Sequence, residues 1–278
     1  MLHRTVILYD IPGTACPDKS WSPNVWKVRF ALNYKGIAHK TEWIEFPDIA
    51  AFAKRVGAAH TAVRHNGDLH YTTPILYDPA TQRYISGSMA IVRHLERTYP
   101  DTPKLFPEGW EAFIALFDDA WMNKAVLPQL PLMVARTYGQ LNEQSKGYFR
   151  RTREKTFKSK LEDIATPEKL PLLWTAFRDG LGEFDKFARA SGESGVFFTG
   201  KQLTYADFIV AGWLVWTKRL WGADSREWQD LQEWHDGRWG KLMNEFAKLE
   251  CVADSDGLKA RFVPCSLLPC IALNEWRA

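Results

Sequence analysis

The stretch from Trp21 to Ile37 constrains this chain most, because it reads as a helix that asks for cover on more than one side. Ser22 can cap its start, and Pro23 falls in the first turn, where a missing N–H has no partner to lose. Gly36 can take the left-handed conformation that closes a helix. At ~100° per residue, Val25, Val28, Ala31 and Leu32 form one apolar arc and Trp26, Phe30 and Tyr34 a second. Lys27 and Lys35 separate the arcs on one side, Arg29 and Asn33 on the other. Two arcs predict a helix packed between two layers. The Ser22 hydroxyl at its entrance lies where unpaired backbone N–H groups and the macrodipole favour an anion, such as a thiolate; the plain alternative is that Ser22 only caps.

The surrounding pattern supplies one of those layers. Thr5 to Ile11 reads as a buried strand ended by Pro12-Gly13. A second strand is expected over His39 to Phe46, a second helix over about Pro47 to Val56, and a loop from Gly57 to His70 with a turn at Asn66-Gly67-Asp68. Strand, helix, strand implies a parallel pair joined by a crossover. Tyr71 to Tyr77 is strand-like but contains Pro74, which belongs at a strand start or a special turn. A turn at Asp78-Pro79-Ala80-Thr81, a strand from Gln82 to Ile85 and a helix from Met89 to Tyr99, capped by Ser86-Gly87-Ser88, complete a β-α-β-α-β-β-α unit over 1–100.

The prolines and Gly109 of 101–109 form a linker, and beyond it the pattern is helical. Trp110 to Tyr138 reads as one long helix bent near Pro128 and Pro131. Gln144 to Ala165 is a polar helix whose basic residues form a solvated face or an anion-binding surface. Another helix runs from Thr166 to about Ala190, ending at Ser191-Gly192. Thr204 and Asp207 have the spacing of a capping box, with Leu203 and Phe208 as its staple. The helix from Tyr205 to Leu220 is nearly all apolar and is the expected centre of a second domain over 110–255. A last helix covers about Arg226 to Leu249, and a tail over 256–278 has no clear period.

Composition excludes several classes. A net charge of +3 over 278 residues gives no case for nucleic acid or a membrane surface. No apolar run approaches the ~20 residues of a membrane span, so a cytoplasmic protein is expected. Cys16, Cys251, Cys265 and Cys270 have neither a disulfide framework nor a zinc spacing, so they are expected to be reduced and no metal site is expected. Thirteen Trp residues favour flat aromatic ligands, although most of such rings belong to a core.

Across about residues 3 to 250 the chain resembles the cytosolic glutathione transferases. The first-domain pattern, the Thr73-Pro74 step, the helix start at Ser88 and the Leu203-Thr204-Tyr205-Ala206-Asp207 box occur in the order that family uses. Ser22 followed by Trp26-Lys27-Val28-Arg29 resembles its serine-type classes. Trp21 to Asn24, Leu32 to Gly36, Glu45 to Ile49 and Gly57-Ala58-Ala59 resemble the etherase-related members, the bacterial lignin β-etherases and the fungal FuA class, and the Trp-rich chain leans towards the fungal branch. The resemblance implies a thioredoxin-like α/β N-terminal domain plus an all-α C-terminal domain, with glutathione as co-substrate and a homodimeric detoxification enzyme as the assembly. It implies that Ser22 and Asn24 meet the glutathione sulfur, that Thr73 before a cis Pro74 pairs with the cysteinyl amide, and that Gly87 and Ser88 bind the γ-glutamyl carboxylate. Many members carry an acid where Gly87 stands, which leaves the γ-glutamyl ammonium without an assigned partner. Lys40, Lys54 and His60 are candidates for the glycine end, and Trp121, Met122, Val126 and Met133 for the acceptor wall, with helical core as the alternative for each.

The expected function is conjugation of glutathione, activated by Ser22, to hydrophobic aromatic electrophiles or aryl ethers of the lignin-derived kind. The alternative is a ligandin, a non-catalytic carrier of aromatic or polyphenolic compounds. A third reading uses Cys16-Pro17 as the active site of a glutathione-dependent reductase or thiol transferase. Helix register opposes it, since a helix starting at Pro17 would carry Pro23 in its interior at a cost of ~3 kcal/mol.

Overall fold

The computed structural model describes residues 5–16, 18–190 and 195–253. The expectations for the tail over 256–278, for Cys265 and Cys270, for Pro17 and for the helix end at Ser191-Gly192 lie outside the described residues. Strand β1 (Val6–Asp10) lies parallel to β2 (His39–Trp43), and the crossover between them is α1 (Pro23–Tyr34). Helix α2 (Ile49–Val56) follows a short 3₁₀ turn at Phe46–Asp48. The segment 57–70, expected as a loop, contains a two-stranded hairpin, β3 (Ala62–Val63) with β4 (Leu69–His70), closed by Gly67 at a φ of 84°. Strand β5 (Ile75–Asp78) runs antiparallel to β1, and β6 (Arg83–Ser86) antiparallel to β5, giving the order β2-β1-β5-β6. Helix α3 (Ser88–Thr98) closes this half.

The second half is helical: α4 (Glu111–Trp121), α5 (Leu127–Gln140), α6 (Glu143–Phe157), α7 (Leu161–Ile164), α8 (Leu170–Ala190), α9 (Tyr205–Trp221) and α10 (Arg226–Phe246). The expected long helix is interrupted before its prolines rather than at them. Pro128 has no N–H for the Lys124 carbonyl four residues back, and its ring crowds that turn. The chain widens into a π turn at Met122–Val126, in which the Leu127 N–H bonds Met122 five residues back. Helix α10 is also two pieces: His235, Asp236 and Gly237 take left-handed conformations with φ of 55°, 59° and 76°. The Thr204–Asp207 capping box forms as expected.

Helix α1 is more deeply enclosed than its two arcs predict. Val25, Val28 and Leu32 pack on Val6, Leu8 and Leu76 of the sheet and on Ile91 and Leu95 of α3. Trp26 and Phe30 face the helical half, where Phe30 meets Phe246 at 4.9 Å and Tyr34 meets Phe208 at 5.6 Å. Ala31 joins this second face, not the first. The cations that separate the two arcs are themselves buried. Lys27 bonds Asp118 of α4 at 3.1 Å, Arg29 bonds Asp10 of β1 at 2.8 Å, and Lys35 bonds Glu96 of α3 at 2.5 Å. Asn33 donates to the carbonyls of Leu249 and Cys251, at 2.7 and 3.0 Å. Lys27, Arg29, Asn33 and Lys35 therefore tie α1 and its C-terminal end to different elements. Its end is fixed by the paired bonds Ile37 to Leu32 and Gly36 to Asn33, with Gly36 left-handed as expected.

Candidate functional site

Strand register brings the expected site residues to one end of the sheet. Tyr9, near the end of β1, pairs with Ile75 at the start of β5, and Ile75 pairs with Ser86 at the end of β6. The loop after β1 leads to Ser22, the residue before β5 is Pro74, and the two residues after β6 are Gly87 and Ser88. Three chain segments distant in sequence thus open on the same side.

Ser22 is 7% exposed and extended, and its hydroxyl makes no capping bond to α1, although its carbonyl accepts the Trp26 N–H at 3.0 Å. Asn24, half-buried, is the second residue of α1. The Thr73–Pro74 peptide is cis, and both residues are buried. The Pro74 carbonyl accepts the Gly87 N–H at 3.0 Å, which joins the cis step to the start of α3. Gly87, not Ser88, is the capping residue of α3; its φ of 88° is one that a side chain would strain, and Ser88 is the first helical residue, half-exposed.

The β3–β4 hairpin borders this end. Thr61 and Thr72 hydroxyls bond at 2.9 Å, and a Cβ at Gly87 would lie 3.8 Å from the Thr61 methyl. Lys54 lies 5.6 Å and His60 6.4 Å from the Tyr71 ring, which places both beside the segment that leads to Thr73. Lys40 instead pairs with Glu42 on edge strand β2, at 2.6 Å.

Cys16 is 4% exposed, its Sγ donates to Gln140 Oε1 at 3.5 Å, and burial pushes its thiol up to about 11. A thiol held so is neutral near pH 7. Of the expected acceptor wall, Trp121, Val126 and Met133 are buried in the helical core, where Trp121 meets Phe184 at 4.7 Å, and Met122 packs against that core half-buried. A cavity of about 580 Å³ opens elsewhere, between residues 12–16 and Lys19 of the loop after β1, Trp43 at the end of β2, Glu45 just beyond it, and Asn142 before α6. Its walls are stapled across the two halves. The Glu45 carboxylate accepts bonds from Asn142 at 2.5 Å and from Ser145, and the Thr14 N–H bonds the Gln140 carbonyl at 2.6 Å. Lys19, Trp43, Glu45 and Asn142 escaped the sequence reading as site residues. The signal that points to them is topological: loops at the C-terminal ends of parallel strands border ligands.

Among the described residues no group of His, Cys, Asp and Glu is placed to hold a metal ion, and no helix is long and apolar enough to cross a membrane.

Comparison with known proteins gives two family matches, described as glutathione S-transferase N-terminal domain over residues 21–98 and glutathione S-transferase C-terminal domain over residues 112–249. A glutathione S-transferase-like protein of Aspergillus flavus, ustS, is 31% identical over 252 residues, 87% of this chain and 88% of that protein. A glutathione S-transferase of Ceriporiopsis subvermispora, solved in complex with glutathione, is 45% identical with a TM-score of 0.88, covering 91% of this chain and all of that one. The transferase GSTFuA3 of Phanerochaete chrysosporium is 38% identical with a TM-score of 0.85, covering 90% and 98%.

Proposed function

The chain belongs to the glutathione S-transferase family, with fungal FuA-class enzymes among its structural relatives, and we propose that it activates glutathione through Ser22 for attack on hydrophobic aromatic electrophiles or aryl ethers. It is a glutathione transferase enzyme, and glutathione is its co-substrate. In the proposed arrangement residues 1–100 hold glutathione and 110–255 complete the acceptor side. The Ser22 O–H donates to the glutathione sulfur, and the start of α1 favours the thiolate over the thiol. Asn24 approaches the same sulfur. The Thr73 backbone beside cis Pro74 pairs with the cysteinyl amide as an added strand would. Gly87 and Ser88 take the γ-glutamyl carboxylate at the start of α3. Lys54 and His60 face the glycyl carboxylate. The thiolate then forms a C–S bond with the acceptor carbon, while the leaving halide or aryl oxide departs with its electron pair and the thiol proton passes to solvent.

The observation that carries this reading is the Ser22 hydroxyl, free of its capping duty at the sheet end where the cis step and Ser88 also open. The cavity beside the loop after β1, with Trp43 for stacking and Lys19 for a phenolate or carboxylate, supports an aromatic acceptor there in preference to the wall of Trp121, Val126 and Met133. Ser22→Ala should lower conjugation of a generic aryl halide by about tenfold or more, ~1.4 kcal/mol of barrier, with folding intact. Unchanged turnover would sink the assignment.

A specific feature also favours carriage of aromatics as a second reading. The helical half has an apolar hollow of about 200 Å³ lined by Trp110, Phe113, Phe117, Phe187 and Phe198, of which Phe113 is 65% exposed. Saturable thermal stabilisation by a polyphenol, lost in Phe113→Ser and kept in Ser22→Ala, would establish it.

A further inference from the structure

Beneath the thiolate site lies a buried charge cluster whose members were not expected to take part in function. Asp10 ends β1 with its side chain fully enclosed, and three donors converge on its carboxylate. The Ile11 N–H meets Oδ1 at 2.7 Å, and the Ser20 hydroxyl and Arg29 each meet Oδ2 at 2.8 Å. Arg29, also fully enclosed, passes its second nitrogen to the Thr41 hydroxyl of β2 at 2.8 Å. Enclosing an ion pair gains little stability over well-packed apolar groups of the same size, so its stability alone gives no account of it. Its geometry does.

Ser20 sits two residues before Ser22 and is held at three atoms. Its hydroxyl goes to Asp10, its N–H goes to Asp18 at 3.2 Å, and its carbonyl accepts the Trp26 indole N–H at 3.3 Å. It also closes the loop, since Ser20 bridges Pro12. Arg29 lies on α1 about two turns beyond Ser22. One carboxylate thus grips the chain on both sides of Ser22 and refers both to β1, whose neighbour β5 follows the cis step. We propose that Asp10, through Ser20, is a positioning group that sets the Ser22 hydroxyl against the glutathione sulfur. This rests on the reading of Ser22 as thiolate donor. Placement matters because a misplacement of about 1 Å is enough to cost a catalytic group on the order of 10²-fold. The charged and titratable groups packed around the Asp10–Arg29 pair are Asp18 and Cys16 from the loop, His39 from β2, and Arg219 from α9, which bonds Asp18 at 2.8 Å.

The test is the apparent pKa of glutathione bound to the full chain, read from thiolate absorbance against pH, with kcat and KM for an aryl halide. Ser20→Ala should raise that pKa by about half a unit or more and lower kcat near pH 6.5 by about threefold to tenfold, with the deficit shrinking as pH rises. Ser20→Thr keeps the hydroxyl and adds one methyl to a closed site, so it should lose thermal stability yet keep the thiol pKa. Ser20→Cys, which replaces the hydroxyl with a weak S–H donor of similar reach, is the second route if Ser20→Ala does not fold, and should shift the pKa in the same direction. Lower stability with an unmoved thiol pKa, or a Ser20→Thr shift as large as that of Ser20→Ala, overturns the proposal. Ser22→Ala in the same assay separates the two levels: if it leaves the thiol pKa at the parent value, the reading of Ser22 itself fails, whereas a shift in Ser22→Ala alone removes only the positioning role.

Discussion

Cys16 and Ser22 are six residues apart in one loop-to-helix segment, and their surroundings give them opposite chemistry. The Cys16 thiol is enclosed, bonded to Gln140 and pushed up to about 11 by burial, which removes the thiolate that disulfide exchange needs. Ser22 needs no shifted pKa to donate a hydrogen bond. In timed alkylation at pH 7.5, followed peptide by peptide, Cys16 should react on the order of 100-fold more slowly than exposed Cys251. Faster labelling of Cys16 with matching loss of turnover would restore the reductase reading. Both residues were legible as candidates, and so was the register that favours a helix start at Ser22. The burial that silences Cys16 was not legible, because Gln140 is 124 positions away.

Between elements, the capping box and the contact of α9 with α1 make separate predictions. Asp207 is buried and its carboxyl is raised from 3.8 to about 6 by burial, against bonds from Thr204 and Phe198. A carboxyl raised on folding binds its proton more tightly in the native state. Its contribution to stability therefore grows as pH falls from about 6 towards about 4 and is absent above that window. Relative to Asp207→Asn, the parent should gain up to about 3 kcal/mol of unfolding free energy between pH 7 and pH 4, measured by denaturant midpoints. Helix α9 crosses the start of α1 at Gly212, where a Cβ would lie 2.8 Å from the Pro23 carbonyl oxygen and 2.9 Å from Lys27. Backbone cannot yield as a side-chain tip can. Gly212→Ala should cost about 2–3 kcal/mol in thermal or denaturant unfolding and lower conjugation as well, since Pro23 follows Ser22. An unaltered midpoint would show that the two helices have room to spare. The box could be read from spacing alone, whereas the need for glycine at 212 exists only once α1 lies against it.

At the scale of the whole molecule, one apolar cluster runs from Trp26 and Phe30 of α1 through Phe208 and Trp213 of α9 to Phe246 of α10, crossing between the halves. Lys27 to Asp118 and Glu45 to Asn142 cross the same boundary. The halves should therefore unfold together. Calorimetry should give one transition, and hydrogen exchange at β1 and α9 should report the same global opening energy; two separated transitions would contradict it. What depends on near neighbours is legible in the chain of residues: the β-branched run of β1, the Ser22-Pro23 start and Gly36 end of α1, the special turn at Pro74, the helix start around Gly87-Ser88 and the Thr204–Asp207 box. Each is a backbone rule acting over a few residues. Only tertiary packing buries Lys27, Arg29 and Lys35, encloses Trp121 and Met133 in the helical core, and opens the cavity between the loop after β1 and the start of α6. The physical reason is that burial and ion pairing depend on which distant element arrives: Asp118, Asp10 and Glu96 each come from a different part of the chain to meet a single helix.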